Sequence, residues 1–336
     1  MIIGHEPYSY DFVLNTAFRS LTGAVGAKKT HKSLYETMKT TKLITALAML
    51  GMVACNNAPE EAGVNSTTPL RLTVGMRTKA LVTETTLPDA SQIGTFLLED
   101  EGALYDALPY SNIPFTATGI AEAQTWAATS DVMLSATQGT LYAYYPYASE
   151  TAQVSSVAVA ATSDHQVDYM WATPVDGLDN RNATASLEMN HALTAVRLKV
   201  TKGDYSGEGL ITEASVSSSA LATAATMNAA DGTLSGVTGA GEVIAPALTQ
   251  FVLSASEQNV EFIAVPVADA EEALVIKMVV DGVTLAVTAP ATEYPQGMIA
   301  EYELAVNNTG MSLVKVTVKE WSKANKGSLG ISQVEQ

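Results

Sequence analysis

The sequence predicts an all-β protein of the β-sandwich class. Short alternations of apolar and polar residues recur along most of the chain, and clusters of turn-forming residues separate them. Alanine, threonine, serine and valine are frequent, whereas charged residues make up only 16% of the chain. This composition suits half-buried strands better than amphipathic helices. Many short strands at this spacing, without a helical period, are typical of packed sheets.

The segment 38–55 has the three parts of a secretory signal. Lys39 and Lys42 form a basic head, residues 43–52 are mostly apolar, and small residues precede Cys55. The apolar run is too short to span a bilayer, which takes about 20 residues. Cys55 is the chain's only cysteine, and its position resembles that of the lipidated cysteine in bacterial lipoprotein signals. The alternative is a buried core helix that ends in cysteine.

The signal divides the N-terminal part of the chain. Residues 1–37 precede a signal that functions only at an N-terminus, so we expect them to be an overcalled extension, followed by the signal peptide at 38–54. Residues 55–67 are polar, with proline and glycine, and are predicted to be a flexible tether. Because Cys55 is the only thiol, the exported body can have neither a disulfide framework nor a cysteine metal site.

The strands are predicted in order along the rest of the chain. The first begins at Leu70, where Leu70, Leu72 and Val74 alternate with Arg71 and Thr73. Further strands are expected over 93–98, 105–115, 131–136, 141–147, 154–161, 167–172, 187–200, 210–216, 250–255, 260–266, 273–280, 283–289, 301–306 and 313–318.

Turn signals set the connections between these strands. Asp281-Gly282, between two alternating apolar runs, predicts a two-residue hairpin. The segment 202–209 concentrates turn formers and charge, and we expect a domain boundary there. The predicted domains are therefore 68–204 and 205–336, the second with a polar tail. Alanines at 212–227 are compatible with a helix, although serine and threonine weaken that interpretation.

Residue patterns for catalysis are weak. No Gly-x-Ser-x-Gly, HExxH or phosphate-loop motif follows the signal. His165 and His191 would form a metal site or an acid–base pair with Asp168 only if they converge, and a structural role is the expected one. The acidic run 99–101 could bind calcium, but a single charged turn is ordinarily solvated. The glycines of 236–241 only loosely resemble a phosphate cradle and are interpreted as a hairpin loop. We predict a protein that is not an enzyme and takes no cofactor or metal. The net charge of −17 disfavours nucleic acid as a partner.

Four tyrosines surround Pro146 in the sequence YAYYPY. Tyr142 and Tyr144 would share one face of a strand, and Tyr145 and Tyr147 the other. An exposed row of tyrosines binds sugar rings by stacking. The interpretation we favour is that the rings close the core and its edge, with their hydroxyls hydrogen-bonded at the rim.

Taken together, these features resemble the fimbrillin family, the lipoprotein-derived fimbrial subunits of Gram-negative anaerobes. The resemblance covers roughly residues 55 to 321. Its elements, in order, are the lipoprotein signal, the tether, a first strand bearing basic residues, YYPY at 144–147, DYMWA at 168–172, LEMNHALTAVRLKV at 187–200, GMIAEYEL at 297–304 and Trp321.

The resemblance implies two tandem transthyretin-like Greek-key β-sandwich domains. It also implies lipidation of Cys55, an anchor in the cell outer membrane, and removal of the first strand, 68–76, by a trypsin-like protease. Cleavage is expected after Arg77, with Arg71 as the second choice. A strand from a neighbouring subunit, of the same or a homologous kind, would fill the gap. The donor in the family is often the C-terminal segment, here 322–336, but only Leu329 and Ile331 alternate there.

The hypothesis from sequence is therefore a structural subunit of a surface fimbria. The alternative is a surface-anchored adhesin or glycan-binding lipoprotein that does not polymerise and contacts a host or bacterial surface ligand. A secreted hydrolase lacks support because no nucleophile–base set is present.

Overall fold

The computed structural model describes residues 66–76, 87–99, 102–119 and 123–321, all within one compact unit. Several sequence predictions concern residues outside these ranges: the signal, Cys55, the tether up to 65, Arg77 and the tail from 322. The strands, in chain order, are β1 Thr68–Pro69, β2 Arg71–Met76, β3 Gln92–Leu98, β4 Ile113–Thr118, β5 Thr125–Ala128, β6 Met133–Leu134, β7 Gly139–Tyr145, β8 Val157–Ala160, β9 Met170–Ala172, β10 Val175–Leu178, β11 Thr184–His191, β12 Thr194–Lys202, β13 Leu210–Ser217, β14 Leu221–Ala222, β15 Ala224–Met227, β16 Leu234–Thr238, β17 Phe251–Val252, β18 Gln258–Pro266, β19 Glu271–Val280, β20 Val283–Glu293, β21 Met298–Asn307 and β22 Gly310–Glu320.

The predicted all-β class is confirmed. A three-residue 3-10 turn, Tyr105–Ala107, lies between β3 and β4, and the segment 212–227 forms strands β13 to β15 instead of a helix. The hairpin at Asp281-Gly282 is confirmed as well. Both residues have positive φ, 50° and 79°, as a two-residue turn of this kind requires.

The N-terminal half is built on an eight-stranded sheet in the order β10-β7-β3-β4-β5-β2-β11-β9. Because β9 also pairs with β7, all of these strands except β10 form a closed ring. The apolar residues inside this ring form one core, which includes Leu70, Leu72 and Val74 from the first strands and Ile93 and Leu97 from β3. Closure leaves each ring strand with a neighbour on both sides.

The C-terminal half is a sandwich of two sheets, with the orders β14-β18-β12-β21-β22 and β17-β13-β19-β20. A second core fills the space between them. Val196, Leu198 and Val200, at every second position of β12, are all fully buried in it. The two-domain organisation stays a prediction, but the packing of two sheets is observed in this half.

A third core joins the two halves. It contains Phe96 and Tyr144 from the ring, Ile263 and Ile299 from the sandwich, and residues of β8 and β15, which pair with each other. The outward face of β3 and β7 is therefore covered by the second half of the molecule.

The chain passes from the ring to the sandwich between β11 and β12, one strand before the expected boundary at 202–209. β12 pairs with β18 and β21 of the sandwich. The turn formers at 202–209 instead form a loop that packs on the hairpin, where Asp281 accepts hydrogen bonds from the backbone N–H groups of Gly209 and Leu210 (3.0 and 2.8 Å). These bonds lower the pKa of Asp281.

The outer face of the sandwich carries a buried set of charges. Arg197 lies directly opposite Glu261 on β18 and Glu301 on β21, and its side chain is 4% exposed. Lys319 and Lys199 also contact Glu301, at 2.6 and 3.1 Å. Burial acts to raise the pKa of Glu301, but the hydrogen bonds from the two lysines outweigh it and hold that pKa below its ordinary value.

Candidate functional site

The first long strand, β2, is held inside the ring by its alternating sequence. Leu72 and Val74 point into the core at 7% and 9% exposure, together with Leu70 at 8% just before the strand, while Arg71 and Thr73 face solvent. Burial of each such aliphatic side chain stabilises the fold by about 1.5–3 kcal/mol. The apolar face of this short strand therefore contributes substantially to the core.

The neighbours of β2 in the ring are β11 and β5. β2 runs parallel to β11 in six consecutive pairs, from Arg71 opposite Thr184 to Met76 opposite Met189. On its other side it pairs with β5 only where Leu72 lies opposite Trp126. Removal of β2 together with the residues before it would leave β11 and β5 with an unpaired edge. It would also uncover the core positions of Leu70, Leu72 and Val74.

Of the two candidate processing residues, the structure describes Arg71. The backbone N–H of Arg71 donates to Ala183 O at 2.8 Å, so Arg71 is part of the sheet although its side chain is exposed. Arg77 follows Met76, the last residue of β2, directly in the sequence and lies outside the described residues. The structure therefore places Arg71 within a paired strand, and cleavage after Arg77 stays a prediction.

The tyrosines of YAYYPY are not an exposed row. Tyr144 is fully buried, and its hydroxyl donates to Asn112 Oδ1 at 2.8 Å and accepts from the backbone N–H of Ala148 at 3.1 Å. Tyr142 packs on the same third core, whereas Tyr145 packs on the ring core, as the alternation predicts. Burial raises the pKa of Tyr144 and keeps the hydroxyl a donor. This geometry favours the core interpretation over the sugar-binding one.

Replacement of Tyr144 tests this interpretation. We expect Tyr144→Ala to lower the free energy of unfolding by about 3–5 kcal/mol, since a large buried ring is removed. Tyr144→Phe should cost about 1–2 kcal/mol, because only the hydroxyl bonds are lost. Urea unfolding of the two variants measures both values. Tyr147→Ala, at a half-buried position, is the matched control and should cost about 1 kcal/mol; equal losses at 144 and 147 would contradict the assignment.

The two histidines do not converge. His165 Nε2 lies 3.0 Å from Tyr169 Oη, whereas His191 Nδ1 lies 2.9 Å from Asp168 Oδ2 and its ring stacks on Trp321 at a centroid distance of 4.4 Å. Asp168 is thus the partner of the histidine more distant in sequence. Within the described ranges no group of three or more His, Cys, Asp or Glu side chains is arranged to hold a metal ion. Among the same residues no helix is long and apolar enough to cross a membrane.

The acidic run at 99–101 is only partly described. Its first residue, Glu99, caps the turn that follows: Oε1 accepts the backbone N–H of Asp106 at 2.7 Å, and its backbone N–H donates to Ala103 O at 2.9 Å. Glu99 is therefore used in forming this turn.

Comparison with known proteins supplies the family and the fold. The model of the fimbrillin-like family matches residues 78–321, and no curated protein matches the chain. Among solved structures, a candidate cell adhesion protein from Bacteroides ovatus has a TM-score of 0.62 at 15% identity, covering 76% of this chain and 98% of that one. A second, from Bacteroides uniformis, has a TM-score of 0.57 at 21% identity, with 76% and 99% covered. At these identities the likeness shows a shared fold.

Proposed function

Because the chain belongs to the fimbrillin-like family, we propose that it is a structural subunit of a cell-surface fimbria, assembled by strand donation. In this proposal a lipid on Cys55 anchors the exported precursor in the outer membrane. A trypsin-like protease then removes β1 and β2, and a strand of a neighbouring subunit takes their place. The protein acts by joining other subunits and performs no catalysis.

The single observation that supports the proposal most strongly is the position of β2 in the ring. A strand with partners on both sides, and with an apolar face in the core, cannot leave without exposing two edges and a groove. Exposed edges of this kind pair readily with an added strand. The groove would select an extended segment whose apolar residues recur at every second position, as Leu70, Leu72 and Val74 do.

Arg77 is the processing residue that fits this scheme best. Proteases cut exposed, mobile backbone in preference to paired strands. Arg71 is paired within the sheet, Arg181 lies in a tight turn closed by Asp179 Oδ1 at 2.8 Å, and Arg197 is buried. Cleavage after Arg71 would also leave Leu72 and Val74 in the core. The family match begins at residue 78, directly after Arg77.

Limited digestion of the full chain tests the proposal. An arginine-specific trypsin-like protease is added. The masses of the cleavage products locate the cut, and particle size is followed at the same time. We expect one cut, after Arg77, followed by growth of oligomers. Ragged degradation, or a clean cut followed by lasting monomers at high protein concentration, would overturn the proposal.

A further inference from the structure

Asn180 connects the N-terminal end of the first strand to a distant turn. It lies between β10 and β11 at 7% exposure. Its Nδ2 donates to Ser66 O at 2.7 Å and lies 3.2 Å from Ser66 Oγ. In return, Thr68 Oγ1 donates to Asn180 O at 2.8 Å. The two ends of this contact are 112–114 residues apart in sequence.

The turn itself does not depend on the Asn180 side chain. Asp179 Oδ1 accepts the backbone N–H groups of Arg181 and Asn182, both at 2.8 Å, and Asn182 Nδ2 donates to Gly177 O at 3.2 Å. The backbone N–H of Asn180 donates to Ser135 O. The donor group of its side chain is thus directed at the segment 66–68 alone.

The side-chain amide of Asn180 uses its N–H₂ group in hydrogen bonds, but not its oxygen. Asn180 Oδ1 is buried and has no hydrogen-bond partner among the described residues. A buried acceptor without a partner is unfavourable, so an asparagine is a poor choice for packing at this position. Its donor, by contrast, binds the half-buried end of the first strand at Ser66.

The N-terminal end of the strand is also attached elsewhere: the backbone N–H of Leu70 donates to Val132 O at 2.8 Å. β1 pairs with β6 through two residues, Thr68 opposite Leu134 and Pro69 opposite Met133, and proline has no N–H to donate. By contrast, β2 has six pairs with β11. A cut after Arg77 breaks the covalent link at the Met76 end of the strand. The fragment is then held by its pairs with β11, by its apolar residues in the core and by the Asn180 contacts at its Ser66 end.

We propose that Asn180 is a latch that retains the first strand after proteolysis and sets the rate at which the strand leaves. This inference rests on the proposed function. A latch of this kind would keep the groove closed between cleavage and the arrival of a donor strand, so that the open edges of β5 and β11 are not exposed to non-specific pairing. Asn180 would act as a positioning residue through its contacts with Ser66 and Thr68.

The test measures departure of the N-terminal fragment from the cut chain. Full-length chain is cleaved with the arginine-specific protease, and the retained fragment is followed by mass spectrometry after gel filtration. We expect Asn180→Ala to release the fragment about tenfold faster than the parent, the change that about 1.4 kcal/mol produces. Asn180→Asp loses the Nδ2 donor but keeps the size of the side chain, and it should release the fragment as fast as Asn180→Ala does. Asn182→Ala, in the same turn, should release at the parent rate.

A second measurement separates the latch from the proposed function. Amide hydrogen exchange over residues 67–76 of the uncut chain should be about tenfold faster in Asn180→Ala and unchanged in Asn182→Ala. Equal exchange in the two variants would overturn the latch. A fragment that never leaves any cut variant would overturn strand removal and, with it, the release role of Asn180; if exchange still differed between Asn180→Ala and Asn182→Ala, Asn180 would only stabilise the first strand of the uncut chain. Urea unfolding of each variant shows whether a change in global stability explains the difference in exchange rate. In that case exchange would rise equally elsewhere in the ring, and the latch would be overturned.

Discussion

An Arg77→Ala variant of the full chain is expected to resist the arginine-specific protease at its first strand and to remain monomeric where the parent chain assembles. Without a cut after Arg77, β2 keeps its six pairs with β11 and its apolar face in the core. No edge is then open to a neighbouring subunit. We expect cleavage next to the first strand to be lost, since Arg71, the remaining arginine of that segment, is paired within the sheet. Intact mass and particle size measure the two effects.

Arg71→Ala is the matched control for this prediction. It removes a basic side chain from the same segment while leaving the core residues untouched, because Arg71 faces solvent. It should be cut and should assemble at the parent rate. If Arg71→Ala abolished processing while Arg77→Ala did not, the strand would be cut from within the sheet, and the assignment of Arg77 would be wrong.

The alternation of the sequence predicted which side chains of a strand share a face. Leu70, Leu72 and Val74 do so in the ring core, and Val196, Leu198 and Val200 do so in the sandwich core. The Asp281-Gly282 hairpin followed from its turn chemistry alone. These features are local, because period and turn type are encoded within a few residues.

What the sequence did not predict depends on pairing between distant segments. The partner of β12 that lies parallel to it is β21, about a hundred residues later, so nothing local indicates that β12 belongs to the sandwich. The loop at 202–209 has the composition of a linker but packs on Asp281. Asn180 likewise lies in a segment of turn-forming residues, and only the fold shows its contact with Ser66. Alternation predicted that Tyr142 and Tyr144 share a face, but not that a third core covers it.

Arg197 is the other residue whose replacement should have a large effect. Sequence alternation assigns it to the face of β12 opposite the core, where an arginine is ordinarily solvated. In the fold three charged side chains on that face are nevertheless buried: Arg197, Glu261 and Glu301 are 4%, 6% and 5% exposed. Removing one member of a buried ionic group typically costs about 3–5 kcal/mol, because the desolvated partners lose their counter-charge. We expect a loss of this size for Arg197→Met in urea unfolding, and a melting temperature lower by about 6–20 °C.

A second ion pair on the same sheet provides the control for Arg197. Lys315 lies 3.6 Å from Glu303, and their side chains are 61% and 32% exposed. Exposed pairs contribute about 0–1 kcal/mol, so Lys315→Met should change the free energy of unfolding by no more than that. The two substitutions create the same side chain on two strands of one sheet, β12 and β22, which flank β21, so the difference between them reports the burial of the charge. Equal and small losses would mean that the lysines on Glu301 compensate for the missing guanidinium. The buried charges would then contribute little free energy to holding β12 between β18 and β21.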